Sequence, residues 1–176
     1  MAADNAFRIL GLEERFALDP AQIEENWRRT IALVHPDRFA GKSAAERRVA
    51  EQWAGRINEA RDALIDPVRR AGLLIAAAGV DVGAESDTRM PADFLMQQMQ
   101  WREALEEAGD PKGEAFGALL FEVEAERDAL SAVLAEAIDV QKDWPRAREA
   151  VRRLMFVEKF HREMLQMQHS RATPTP

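Results

Sequence analysis

Residues 19–67, DPAQIEENWRRTIALVHPDRFAGKSAAERRVAEQWAGRINEARDALIDP, read as two amphipathic helices joined by a short loop. Asp19 can accept from free backbone N–H groups and Pro20 suits a first helical turn, so a helix opens here. Ile23, Trp27, Ile31 and Val34 then recur at helical spacing, with Arg28 and Arg29 off that stripe. Pro36 pushes His35 out of helical geometry, which stops the helix near Val34. Residues 35–42, HPDRFAGK, form the loop. Ser43 and Glu46 have the spacing of a capping box. The second helix carries Val49, Trp53, Ile57, Ala60 and Leu64 as its apolar stripe. Facing stripes give an antiparallel hairpin with His35-Pro36-Asp37 at its tip.

Upstream, residues 5–11 (NAFRILG) form a short helical turn that buries Phe7, Ile9 and Leu10 and ends at Gly11. Downstream, Asp66-Pro67 repeats the cap-plus-proline signal and opens a shorter helix through Arg70, Leu73, Leu74 and Ile75. Residues 79–90 (GVDVGAESDTRM) have the composition of a linker. Three helices follow. One spans about 91–108, one about 111–141 behind Asp110-Pro111, and one opens at Asp143 and Pro145. Long helices with short connections pack as antiparallel neighbours. The expected fold is all-α: a hairpin domain over 1–78, a linker over 79–90 and a three-helix bundle over 91–170, in an L shape. The terminal TPTP contributes nothing to a core.

Composition narrows the chemistry. The net charge of −7 resides wholly in residues 80–176, with 12 basic and 19 acidic side chains against 12 of each in residues 1–79. An acidic half disfavours nucleic acid and anionic membrane. No cysteine is present, which excludes disulfides, thiolate metal sites and a cysteine nucleophile. His35, His161 and His169 lack metal-ligand spacing, so no metal and no cofactor is expected. No signal peptide and no apolar run of membrane length is visible, and a cytoplasmic protein is expected.

The loop carries the strongest signal. Pro36 restricts its backbone, Asp37 offers a carboxylate to a partner arginine, and His35 offers a ring to pack and hydrogen-bond. Arg28 and Arg29 precede it, and Arg38 and Lys42 follow it. His35 and Asp37 also suit an acid–base dyad, but no nucleophile, metal cluster or phosphate loop accompanies them. The hairpin with its tripeptide resembles a J-domain, as does the later run Ile57-Asn58-Glu59-Ala60 with Leu64, Asp66 and Pro67. That resemblance implies docking on a DnaK-type chaperone and stimulation of its ATPase, with no catalysis by this chain. Val34 stands where such domains commonly have tyrosine, and Ala32 and Leu33 where a basic residue is common. Contact is therefore expected to lean on Arg28, Arg29 and Arg38.

The helix over 91–108 has two apolar faces. At about 100° per residue, Phe94, Trp101 and Leu105 share one face, and Leu95, Met96 and Met99 lie roughly opposite, among Arg102, Glu103, Glu106 and Glu107. The first belongs in a bundle core. The second packs on another helix of the chain or meets a partner, for which adaptable methionines are suited.

The order of J-domain, FLMQQMQWREALEE and then RRLMFVEKF resembles the HscB family of iron–sulfur co-chaperones over roughly residues 5–165. FRILGL, HPDRF, INEARDAL, DPVRRAGLL and DFLM carry the likeness. It implies two partners, a chaperone of HscA type at the J-domain and an iron–sulfur scaffold of IscU type at the bundle. The matching scaffold positions are Leu95, Met96, Met99, Arg102, Glu103, Glu107 and Phe156. Met99 replaces a frequent leucine, Gln100 replaces a frequent acid, and Phe156 sits between core positions Leu154 and Val157. The absence of cysteine fits the bacterial type, without a metal module. Three rivals stand beside this reading: a general J-domain co-chaperone for unfolded clients, a helical protein with a decayed J-domain, and an enzyme using His35 and Asp37.

Overall fold

The computed structural model describes residues 5–83 and 90–170. They form only helices and connections. In chain order these are α1 (Ala6–Ile9), α2 (Pro20–Ala32), a 3-10 turn (Pro36–Phe39), α3 (Ala44–Ile65), α4 (Pro67–Ala77), α5 (Ala92–Ala108), α6 (Glu114–Ala135), a π-helical turn (Glu136–Gln141) and α7 (Trp144–Ser170). Half of the 79–90 linker segment, residues 84–89, lies outside the described residues. So does the expected frayed tail.

The capping signals act as read. Asp19 accepts from Ala21 N–H, and Asp66 from Val68 and Arg69 N–H. Ser43 and Glu46 satisfy each other's backbone as a capping box. α2 and α3 run antiparallel, tied by Trp27 Nε1 to Asn58 (2.9 Å) and by Arg61 to Glu24 (2.6 Å). α1 closes the foot of this hairpin with Phe7 and Leu10, both buried, while Ile9 is half-buried. Gly11 leaves the turn at φ +62°, where a side chain would be strained.

Two expectations need correction. Val49 and Trp53 are exposed rather than core. They share the angular face of Ala60 and Leu64, but α1 is only one turn long and covers the foot of α3, not its upper part. The Trp53 ring meets Arg56 instead, whose guanidinium lies 4.8 Å from the ring centre. The second bundle helix starts at Glu114, not 111. Asp110 folds back on Lys112 N–H (3.0 Å) and makes a turn before the helix begins.

α5, α6 and α7 form the bundle. Arg127–Glu158 and Glu124–His161 pair α6 with an antiparallel α7, while Phe94–Phe156 and Arg102–Glu163 place α5 alongside α7 in the same direction. Phe116, Val123, Leu134, Leu154 and Met164 fill the centre. The core continues without interruption into the hairpin part, because α4 packs on α7 and on the π-helical turn. Burial pulls the Arg70 guanidinium of α4 below its ordinary value, and Asp66 and Asp139 push it back up.

Candidate functional site

The tripeptide lies where α2 has ended and α3 has not begun. The last turn of α2 tightens, with Leu33 and Val34 N–H reaching back three residues to Thr30 and Ile31 (both 3.1 Å). His35 then caps the 3-10 turn. Its Nδ1 accepts from Asp37 N–H at 3.3 Å and lies 3.4 Å from the Asp37 carboxylate. A ring that accepts at Nδ1 carries its proton on Nε2, which leaves that nitrogen as a donor. The Asp37 side chain is 90% exposed. The loop thus presents a carboxylate acceptor and an imidazole donor on a backbone restricted by Pro36.

The cations expected around it divide. Arg38 donates to Ala32 O at 3.4 Å and ties the turn to α2. Arg29 is held by buried Asn26 (2.7 Å) and lies near Glu25. Asn26 in turn donates to Leu10 O (2.8 Å), so the foot of the hairpin orients this arginine. Arg28 and Lys42 are exposed. Exposed Leu33, separated from the tripeptide only by Val34, gives this polar surface an apolar edge. Asn26 was missed in the sequence, since a polar residue one position before Trp27 looks like solvent face.

The second surface is on α5. Phe94, Trp101 and Leu105 are buried as expected, and Leu95, Met96 and Met99 stand out to solvent, Met99 with 72% of its surface exposed. The alternative in which another helix of the chain covers this face does not hold among the described residues. Glu103 and Glu107 are exposed on the same helix. Arg102 is committed inside the molecule: it donates to Glu163 of α7 at 2.7 Å and lies over Phe160 at 5.0 Å. The same bond holds the Glu163 carboxyl below its ordinary value. Phe156 is both packed and open. One edge meets buried Phe94, with ring centres 5.8 Å apart, and 44% of the residue remains exposed. Exposed Met155 is its neighbour on α7 and went unnoticed in the sequence.

Two surfaces of unlike character therefore stand on one helical body. A family model described as the HSCB C-terminal oligomerisation domain matches residues 90–164, which is the bundle. A co-chaperone protein HscB homologue from Bordetella pertussis is 53% identical over 165 residues, covering 93% of this chain and 96% of its own. The chain belongs to the HscB co-chaperone family. An HscB homologue from Burkholderia mallei is 47% identical and covers 92% of each chain. The solved HscB of Vibrio cholerae superposes with a TM-score of 0.80 at 30% identity, over 94% of this chain and 98% of its own. Human HscB shares the fold at a TM-score of 0.84 and 23% identity. Membership in HscB makes this a co-chaperone, whose partner is a chaperone. Among the described residues, no helix is long and apolar enough to cross a membrane.

Proposed function

We propose that this chain is an adaptor without enzymatic activity of its own, working in the cytoplasm in iron–sulfur cluster transfer. Residues 91–170 hold a scaffold of IscU type, and residues 1–78 present it to a chaperone of HscA type. The cluster is the scaffold's cargo and ATP is the chaperone's substrate. Neither is bound by this protein.

The observation that carries the reading is the uncovered apolar face of α5, with Leu95, Met96 and Met99 open beside half-exposed Phe156. Adaptable methionines rimmed by Glu103, Glu107 and Arg102 suit a partner with its own apolar surface and mixed charge. At the other end, Asp37 can receive a partner arginine in a bidentate grip and His35 can donate from Nε2. Arg28, Arg29, Arg38 and Lys42 steer and register that docking. Docking that is tighter to the hydrolysis-competent state of the chaperone shifts its population toward that state and raises ATP turnover.

Calorimetric titration with an IscU-type scaffold tests this. Wild type should bind, and a Leu95→Ala/Met99→Ala variant should lose binding while melting as wild type does. Absence of wild-type binding, together with intact ATPase stimulation, would turn the assignment to a general co-chaperone for unfolded clients.

A further inference from the structure

The contact between the hairpin and the bundle has a polar centre. Asp139 lies in the π-helical turn that ends α6, and its side chain is only 10% exposed. One carboxylate oxygen accepts from Phe16 N–H at 2.7 Å and the other from Ala17 N–H at 2.9 Å, across more than 120 residues of chain. Arg15 Nε stands 3.8 Å away. Buried Phe16 lies under the Arg70 guanidinium at 4.9 Å, and Arg70 also donates to Leu64 O. The loop between α1 and α2 thus delivers two consecutive N–H donors to one largely covered carboxylate of the bundle.

The π-helical turn makes this possible. At the α-helical rotation of about 100° per residue, Asp139 would lie well round from the stripe of Val123, Leu130 and Leu134, toward solvent. The wider π turn rotates each residue less. Ile138 stays buried and Asp139 stays on the side that meets the hairpin. The turn closes at Lys142, with φ +57°, and Asp143 N–H reaches back to Ala137 O at 2.8 Å. A strained non-glycine residue and a widened helix are local costs that an ordinary helix end would avoid.

We propose that Asp139 is a positioning residue: its carboxylate, aimed by the π-helical turn, fixes the orientation of the tripeptide hairpin relative to the bundle. Apolar packing between α4 and α7 is non-directional and tolerates sliding. Two charge-assisted bonds to adjacent backbone amides are directional and do not. Holding two binding surfaces in one orientation lowers the ordering cost of assembling three proteins. That consequence rests on the adaptor reading, whereas the fixed orientation does not.

The test uses the full chain, whose lack of cysteine allows clean double labelling. Spin labels go on Glu51→Cys in α3 and Gln166→Cys in α7, both exposed. Double electron–electron resonance should give one narrow distance distribution in the wild-type background. Asp139→Asn and Asp139→Ala should broaden or shift it, with melting showing that they remain folded. Asparagine, isosteric with Asp139, keeps the test open where alanine fails to fold. Arg15→Gln leaves both backbone bonds in place and should keep the narrow distribution. A broad wild-type distribution, or an unchanged one in the folded Asp139 variants, overturns the assignment. In a companion assay, the Asp139 variants should keep wild-type affinity for the scaffold alone and wild-type stimulation of the chaperone alone. Assembly of all three proteins should weaken by about fivefold or more. Unweakened assembly overturns the coupling. Absence of wild-type scaffold binding instead removes the adaptor reading and leaves the distance result standing.

Discussion

The tip of the hairpin and the outer face of α5 are both built to be left open, by opposite means. The tip is polar and held by its own backbone. His35, Pro36 and Asp37 are all exposed, and the turn is kept by short-range bonds from Asp37 N–H and Arg38. The α5 face is apolar and is held from behind, because Phe94 and Trp101 on the same helix are buried against α7. A polar loop in water has no drive to hide, so its function rests on the identity of a few groups. An apolar face does have that drive, and it stays open only because the helix is anchored by its other side.

The sharpest break of this comparison is His35→Gln. The side chain contributes nothing to the core, so the variant should melt with wild type. Stimulation of a DnaK-type ATPase should be abolished, since glutamine does not reproduce the rigid imidazole with opposed donor and acceptor. Steady-state ATP turnover at matched concentrations checks this. A variant that still stimulates fully would place chaperone contact elsewhere on the hairpin.

The next largest effect separates the two sides of α5. Phe94→Ala removes a ring that is 1% exposed and should cost about 3–5 kcal/mol. Met99→Ala, about one and a half turns away on the open side, should change stability by no more than about 0.5 kcal/mol. Urea unfolding of both variants gives the contrast directly. A cost for Met99→Ala near that of Phe94→Ala would mean the face is covered in solution.

This contrast also marks what was legible in the sequence. Helical periodicity found the two faces of α5, because the anchor residues and the open residues fall on opposite sides of one wheel. The same method failed on α3. There Val49 and Trp53 share a face with buried Ala60 and Leu64, and what decides their exposure is the length of the helix that covers them. Periodicity reports a face, not how far along the axis it is covered. Caps were legible because they act within three residues. The Asp139 bonds to Phe16 and Ala17, the buried Asn26 and the Arg102–Glu163 pair were not, because their partners are brought together only by the fold. The π-helical turn has no composition of its own to betray it.

The smallest effect concerns Arg102, the one cation expected on the α5 surface that has a partner inside the molecule. Its bond to Glu163 lowers the glutamate's value on folding. A carboxylate whose folded value is depressed adds stability above its unfolded value and loses it as pH falls through the folded one. The side chains are 50% and 40% exposed, so solvent screening holds the contribution to about 0.2–1 kcal/mol. Glu163→Gln should therefore unfold slightly earlier than wild type at neutral pH. The gap should shrink below about pH 4.3 and close once wild-type Glu163 is itself protonated. Urea midpoints between neutrality and pH 3 check it. A gap that persists in acid would mean that Glu163 acts through something other than its charge, and that Arg102 is free to turn toward a partner.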